Sequence, residues 1–148
     1  MKKISKGFTL IELLVVIGIL AILLAITLIA INPARQFAQA NDTKQRSDTL
    51  QVLNAVHEFY AENKGVYPAA ILTLGEGSTK VIGANSGEAD LCPDIMGIYI
   101  PALPVRGGEN VTACNSTYTL GYTVTKLNGV ITITGGNDVR GLPITAKR

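Results

Sequence analysis

One carboxylate, Glu12, stands inside an otherwise uncharged run from Phe8 to Ile31. An acid one turn into an apolar helix costs several kcal/mol unless something pairs with it, so an intramembrane acid is read as functional by default. Cys92 and Cys114 form the second chemical pair. An even number of thiols in an exported segment points to a bridge, and closing this loop contributes roughly 3 kcal/mol on the chain-entropy account. The remaining candidates carry less. His57 is the single histidine and reads as a surface or sheet-packing residue. With Cys92 and Cys114 it falls short of four zinc ligands and lacks their close pair spacing, so no metal is expected there. Glu88, Asp90 and Asp94 cluster in one loop, where solvated charge is the plainer reading than a weak site for a hard cation. Gly75 to Ser78 and Gly107-Gly108 lack the strand and helix context of phosphate loops and read as turns. No nucleophile has an adjacent base, so the sequence predicts neither an enzyme nor a cofactor.

The elements that must hold these residues follow from composition. Of 148 residues, 47% are apolar, and they are concentrated near the N-terminus. At about 1.5 Å per residue the Phe8 to Ile31 run is long enough to cross a bilayer core of roughly 30 Å. That leaves a soluble part of about 115 residues and a correspondingly small core. Three of the 13 basic residues, Lys2, Lys3 and Lys6, precede the run; without residues 1–7, 10 basic side chains face 11 acidic ones, a net of −1. No basic face for nucleic acid is expected. The lysines supply a positive-inside bias, which predicts a cytoplasmic N-terminus and an extracytoplasmic remainder in a single-pass membrane protein.

After Asn32-Pro33, apolar positions recur at helical spacing: Phe37, Leu50, Leu53, Val56 and Tyr60, with Val52 and Phe59 between them. They predict an amphipathic helix from near Ala34 to Asn63, joined to the apolar one through a bend at Pro33 in a nearly continuous stem of about 56 residues. Gly65 and Pro68 are its stop signals. From there to about Gly108 the chain reads as loop with one short helix and one short strand. Tyr118 to Lys126, Asn128-Gly129 and Val130 to Thr134 predict a hairpin with a two-residue turn. That turn pairs Leu127 with Val130, Thr125 with Thr132 and Val124 with Ile133, giving one apolar and one hydroxylic face. The long helix is the only candidate to cover the apolar face, so the expected class is α+β: a long N-terminal helix packed on a small antiparallel sheet. The expected divisions are 1–7, 8–31, 32–64 and 65–148. Asn41, Asn110 and Asn115 each open an Asn-x-Ser/Thr triplet, a common pattern that marks exposure more than modification.

A generic secretory signal has an apolar region of about 7–15 residues ending in small residues, unlike the longer run here, which ends Leu28-Ile29-Ala30-Ile31. The short basic leader KKISKG, followed by FTLIELLVVIGILAILLA, resembles instead the class III signal of type IV prepilins and the related pseudopilins. The resemblance covers residues 2 to 31 most closely and extends along the stem to Tyr67-Pro68. It implies a type IV pilin-like fold with residues 1–7 as a leader peptide. It also implies cleavage between Gly7 and Phe8 by a membrane-embedded prepilin peptidase, and methylation of the new Phe8 amine by its methyltransferase activity. A neighbouring subunit shifted along a filament axis would then offer that amine to Glu12, which acts as a register device, with Thr9 adding a hydrogen bond.

Before assembly the implied surroundings are inner-membrane lipid and the pilus assembly platform; afterwards the partner is a homo-oligomeric extracellular filament. Two features depart from the family pattern. The mid-anchor proline of many members is absent, the first proline being Pro33, and Arg106-Gly107 stand where many pseudopilins carry Asp-Pro. The second departure argues against a pseudopilin calcium site. The competing readings are a pseudopilin of a type II secretion or DNA-uptake filament, a minor tip subunit, and a monomeric membrane-anchored binding module.

Overall fold

The computed structural model of the chain describes residues 7–114 and 117–148. The three leader lysines, and Asn115 and Ser116 of the third triplet, lie outside the described residues. Two compact units divide after Phe37.

The first unit holds helix α1, Leu10–Ile31, whose 22 residues are all exposed. By length and composition it is able to cross a membrane. The nearly continuous stem expected at Pro33 is not formed. Asn32 takes a left-handed conformation (φ 45°, ψ 77°) and ends α1. The residue before a proline is driven from the helical region, and asparagine tolerates the left-handed one. Asn32 then starts the next helix, α2, Pro33–Glu62, its side-chain Oδ1 accepting from Arg35 N at 3.3 Å while Pro33 fills the first helical position.

The second unit, from Ala38, carries the rest of α2 and an α+β head. Asp48, Thr49, Val52, Leu53, Ala55 and Val56 form the buried stripe of α2. Four of the expected apolar positions fall outside it: Phe59 and Tyr60 are half-buried, and Leu50 and Phe37 are exposed. Leu50 is 52% exposed because two residues from Val52 turn it about 200° around the helix; Phe37 is 72% exposed and belongs to the first unit. α2 stops where Lys64 and Gly65 both take positive φ and Gly65 N donates to Tyr60 O.

Beyond α2 come the four-residue helix α3, Ala69–Leu72, strand β1, Thr79–Gly83, and the four-residue helix α4, Cys92–Ile95. The segment therefore holds two short helices, one more than expected, since Pro93 opens α4 inside a polar stretch with no apolar periodicity. Strands β2, Thr119–Leu127, β3, Val130–Asn137, and β4, Pro143–Lys147, complete an antiparallel sheet in the order β1-β2-β3-β4. The β2–β3 register pairs Leu127 with Val130, Val124 with Ile133 and Thr125 with Thr132. Asn128 and Gly129 both have positive φ, as a two-residue hairpin turn requires. Leu120, Tyr122, Val124, Ile131, Ile133 and Ala146 turn inward to join Val52, Leu53 and Val56 in one core, while the threonines of β2 and β3 face out.

Polar groups lock helix to sheet. Tyr122 Oη donates to Asp48 Oδ2 at 2.7 Å in the core, and burial together with Asp48 raises the phenol pKa well above its ordinary value. Gly136 N donates to Gln45 Oε1 at 2.7 Å. Asp138 accepts from Arg46, from the Arg140 side chain and from the backbone of Arg140 and Leu142, fastening the β3–β4 turn to α2. Those bonds, Arg140 foremost, hold its carboxyl below the usual range.

Candidate functional site

The residues singled out at the N-terminus converge on the first turn of α1. Gly7 and Phe8 precede the helix without regular structure and are exposed, and nothing lies within 4 Å of where a Cβ on Gly7 would stand. Thr9 is the N-cap, with extended backbone. Its Oγ1 accepts from Glu12 N at 3.3 Å, and Glu12 Oε2 accepts from Thr9 N at 3.0 Å and from Thr9 Oγ1 at 2.8 Å. This reciprocal capping box satisfies two helix-end donors that hydrocarbon could not. Its signature, Thr-x-x-Glu ahead of an apolar run, stands at residues 9–12, and the structure adds two further bonds to the single one expected of Thr9. Both Thr9 donors use Oε2, so Oε1 has no hydrogen-bond partner among the described residues. No Lys or Arg among them forms an ion pair with Glu12.

The other singled-out residues lie in the second unit. Cys92 and Cys114 form a disulfide with Cα atoms 5.6 Å apart. The acids of the 88–94 loop are each spent on local bonds: Glu88 accepts from Asn85, Asp90 from Cys92 N and Tyr118 Oη, and Asp94 from Ala69 N. Among the described residues no group of His, Cys, Asp and Glu is arranged to hold a metal.

His57 packs edge-on against Tyr60 and Tyr67, with ring centroids 6.4 and 6.1 Å away and a buried Nε2 that finds no partner among the described residues. Burial first, and Arg148 second, lower its pKa from the ordinary 6.5. The unfolded chain therefore binds this proton more readily, and stability should fall as pH drops through 6.5 toward the lower folded value. Because the chain has one histidine, His57→Phe should flatten the urea-unfolding free energy between about pH 7.5 and 5. An unchanged slope in that variant would assign the dependence elsewhere.

An exposed, 22-residue apolar helix opened by a Thr–Glu cap and followed by a small α+β head defines a protein anchored by its N-terminal helix. Residues 2–28 match the prokaryotic N-terminal methylation motif. A fimbrial protein of Dichelobacter nodosus is 33% identical over 132 residues, covering 89% of this chain and 78% of that protein. The type IV major pilin protein PilE1 of Neisseria gonorrhoeae is 33% identical over 116 residues, 78% of this chain and 56% of its own length. The fimbrial protein EcpC of Eikenella corrodens is 41% identical over 86 residues, 53% of this chain and 50% of its own. No solved structure matches at a significant level. The chain belongs to the type IV pilin family.

Proposed function

We propose that the chain is a structural subunit of a type IV pilus-like filament, made as a membrane-anchored precursor with the head outside the cytoplasmic membrane. A prepilin peptidase cuts between Gly7 and Phe8, the Phe8 amine is methylated, and α1 joins a bundle of identical helices in the filament core. The observation that carries this reading is Glu12, the single ionisable side chain in α1, held at the helix start with one carboxylate oxygen that has no hydrogen-bond partner among the described residues. Cleavage creates an amine on Phe8. An axially shifted neighbour presents that amine to Oε1 while Thr9 keeps Oε2, so one carboxylate serves as cap and as pairing partner. Helices leaving lipid for one another gain little from hydrophobic transfer, which makes packing and this pair the terms that select register. The D. nodosus and N. gonorrhoeae relatives, named as a fimbrial protein and a major pilin, support a filament subunit.

The test is intact-mass and N-terminal peptide mass spectrometry of protein from native membranes and shed filaments. A mature chain beginning at methylated Phe8 is expected in both. Functional protein that begins at Met1 would remove the amine Glu12 requires, and with it this mechanism.

A further inference from the structure

The side chain of Arg106, in the loop between α4 and β2, runs over sheet positions that carry no side chains. A Cβ on Gly121 of β2 would stand 3.3 Å from Arg106 Cβ and 3.7 Å from its Nε, and one on Gly136 of β3 would stand 3.0 Å from Nη1. Gly121 has φ +72°, so the strand adopts a left-handed residue where the arginine crosses it. Arg106 N also donates to Leu120 O at 2.9 Å, fixing the base of the side chain. The guanidinium is thus seated before any ligand arrives, yet among the described residues no carboxylate pairs with it. Arg46 and Arg140, by contrast, both pair with Asp138.

Arg106 borders a cleft of about 220 Å³ together with Asn41, Lys44, Gln45, Gly107 and Tyr122. Lys44 has no carboxylate partner among the described residues either; its Nζ lies 3.5 Å from Val105 O, a weak contact. Gln45 Oε1 is occupied by Gly136 N, which leaves its amide nitrogen as a donor. Asp48, which accepts the Tyr122 hydroxyl, is buried and already engaged. The cleft therefore offers two cations that form no ion pair among the described residues, and further donors from helix and loop. Such a set exceeds what a two-oxygen carboxylate takes up and matches a tetrahedral anion, and the volume admits a phosphate together with the group that carries it.

We infer that this cleft binds a phosphate group, either a free phosphate or that of a lipid headgroup. The site lies wholly in the second unit and does not depend on N-terminal processing. The test is amide NMR of the full chain in neutral-detergent micelles, titrated with inorganic phosphate at ionic strength held constant with chloride. Saturable shifts are expected at Gly107, Gly121, Gly136 and the Gln45 side-chain amide. Arg106→Gln should weaken the apparent affinity about tenfold or more, with Arg106→Lys intermediate and Arg140→Gln unchanged. A second arm adds phosphatidylglycerol to the chain in micelles of a neutral, phosphate-free detergent, with no inorganic phosphate present. Arg106-dependent shifts on adding phosphatidylglycerol identify the headgroup as source; shifts on adding phosphate alone identify the free anion. Shifts that chloride reproduces, that persist in Arg106→Gln with its spectrum otherwise intact, or that never saturate in either arm overturn the inference.

Discussion

Glu12→Gln should insert into the membrane as the native chain does and fail to enter filaments, its yield in the sheared filament fraction falling by roughly a hundredfold or more. The magnitude follows from leaving one member of a buried ion pair unmatched, about 3–5 kcal/mol. Glutamine keeps an oxygen that can accept from Thr9 N, as Glu12 Oε2 does at 3.0 Å, so the helix start survives while the charge is lost. Thr9→Val performs the converse experiment. It deletes the hydroxyl that accepts from Glu12 N and donates to Oε2, leaves the carboxylate, and should cost about 1 kcal/mol with only a modest fall in yield. The Glu12→Gln subunit still carries its own Phe8 amine and can satisfy a native neighbour. Co-expression with the native chain should therefore recover part of its incorporation. Immunoblots of membrane and sheared fractions measure all three. Equal filament yields from Glu12→Gln and the native chain would sink the pairing role and restore the anchored binding module as the better reading.

The legible and illegible parts of this chain differ by the range of the interactions that decide them. The apolar helix and the β2–β3 hairpin could be read because each is fixed by its own residues: the uncharged run for one, Asn128-Gly129 and alternating β-branched residues for the other. Even the pairing of Val124 with Ile133 follows from the turn alone. β1 and β4 could not be read in the same way. Each is five residues long and owes its place to a neighbour already in the sheet, through Thr79 against Thr125 and Thr145 against Thr134.

At Pro33 two effects of proline compete: its tolerance in a first helical turn favours a bend, while its exclusion of the preceding residue from the helical region makes the break at Asn32, and the second prevails. At the site, the acid announced itself by its charge, whereas its cap is a local pattern of ordinary residues that had to be read together as Thr-x-x-Glu. Asp48 and Arg106 carry no local signal of their contacts, since their partners Tyr122 and the strand glycines are separated from them in the chain; Asp138 has local partners in Arg140 and Leu142, but its bond to Arg46 is assembled only by the fold.

The loop that carries Arg106 is closed by the Cys92–Cys114 bridge, 22 residues apart, and that closure sets the second large expectation. Replacing both cysteines by alanine should lower stability by about 3 kcal/mol, because the bridge removes loop entropy from the unfolded chain. For a head of this size the melting temperature should drop by roughly 10 °C or more. The loop has other attachments: Ile95, Ile100 and Leu103 are buried, Leu103 pairs with Val111, and Asp90 joins Cys92 N to the Tyr118 hydroxyl. These should keep the variant folded. Amides between 92 and 114 should nonetheless lose hydrogen-exchange protection before the sheet does, since their local opening is no longer tied at both ends. Native protein treated with reductant should melt with the double variant, which separates the bridge from any packing effect of alanine at buried Cys92. Phosphate affinity at the Arg106 cleft should weaken in parallel, because the guanidinium keeps its seat over Gly121 and Gly136 only while the loop is held down. A reduced protein that melts and exchanges like the native one would mean that Ile95, Ile100 and Leu103 hold the loop by packing alone.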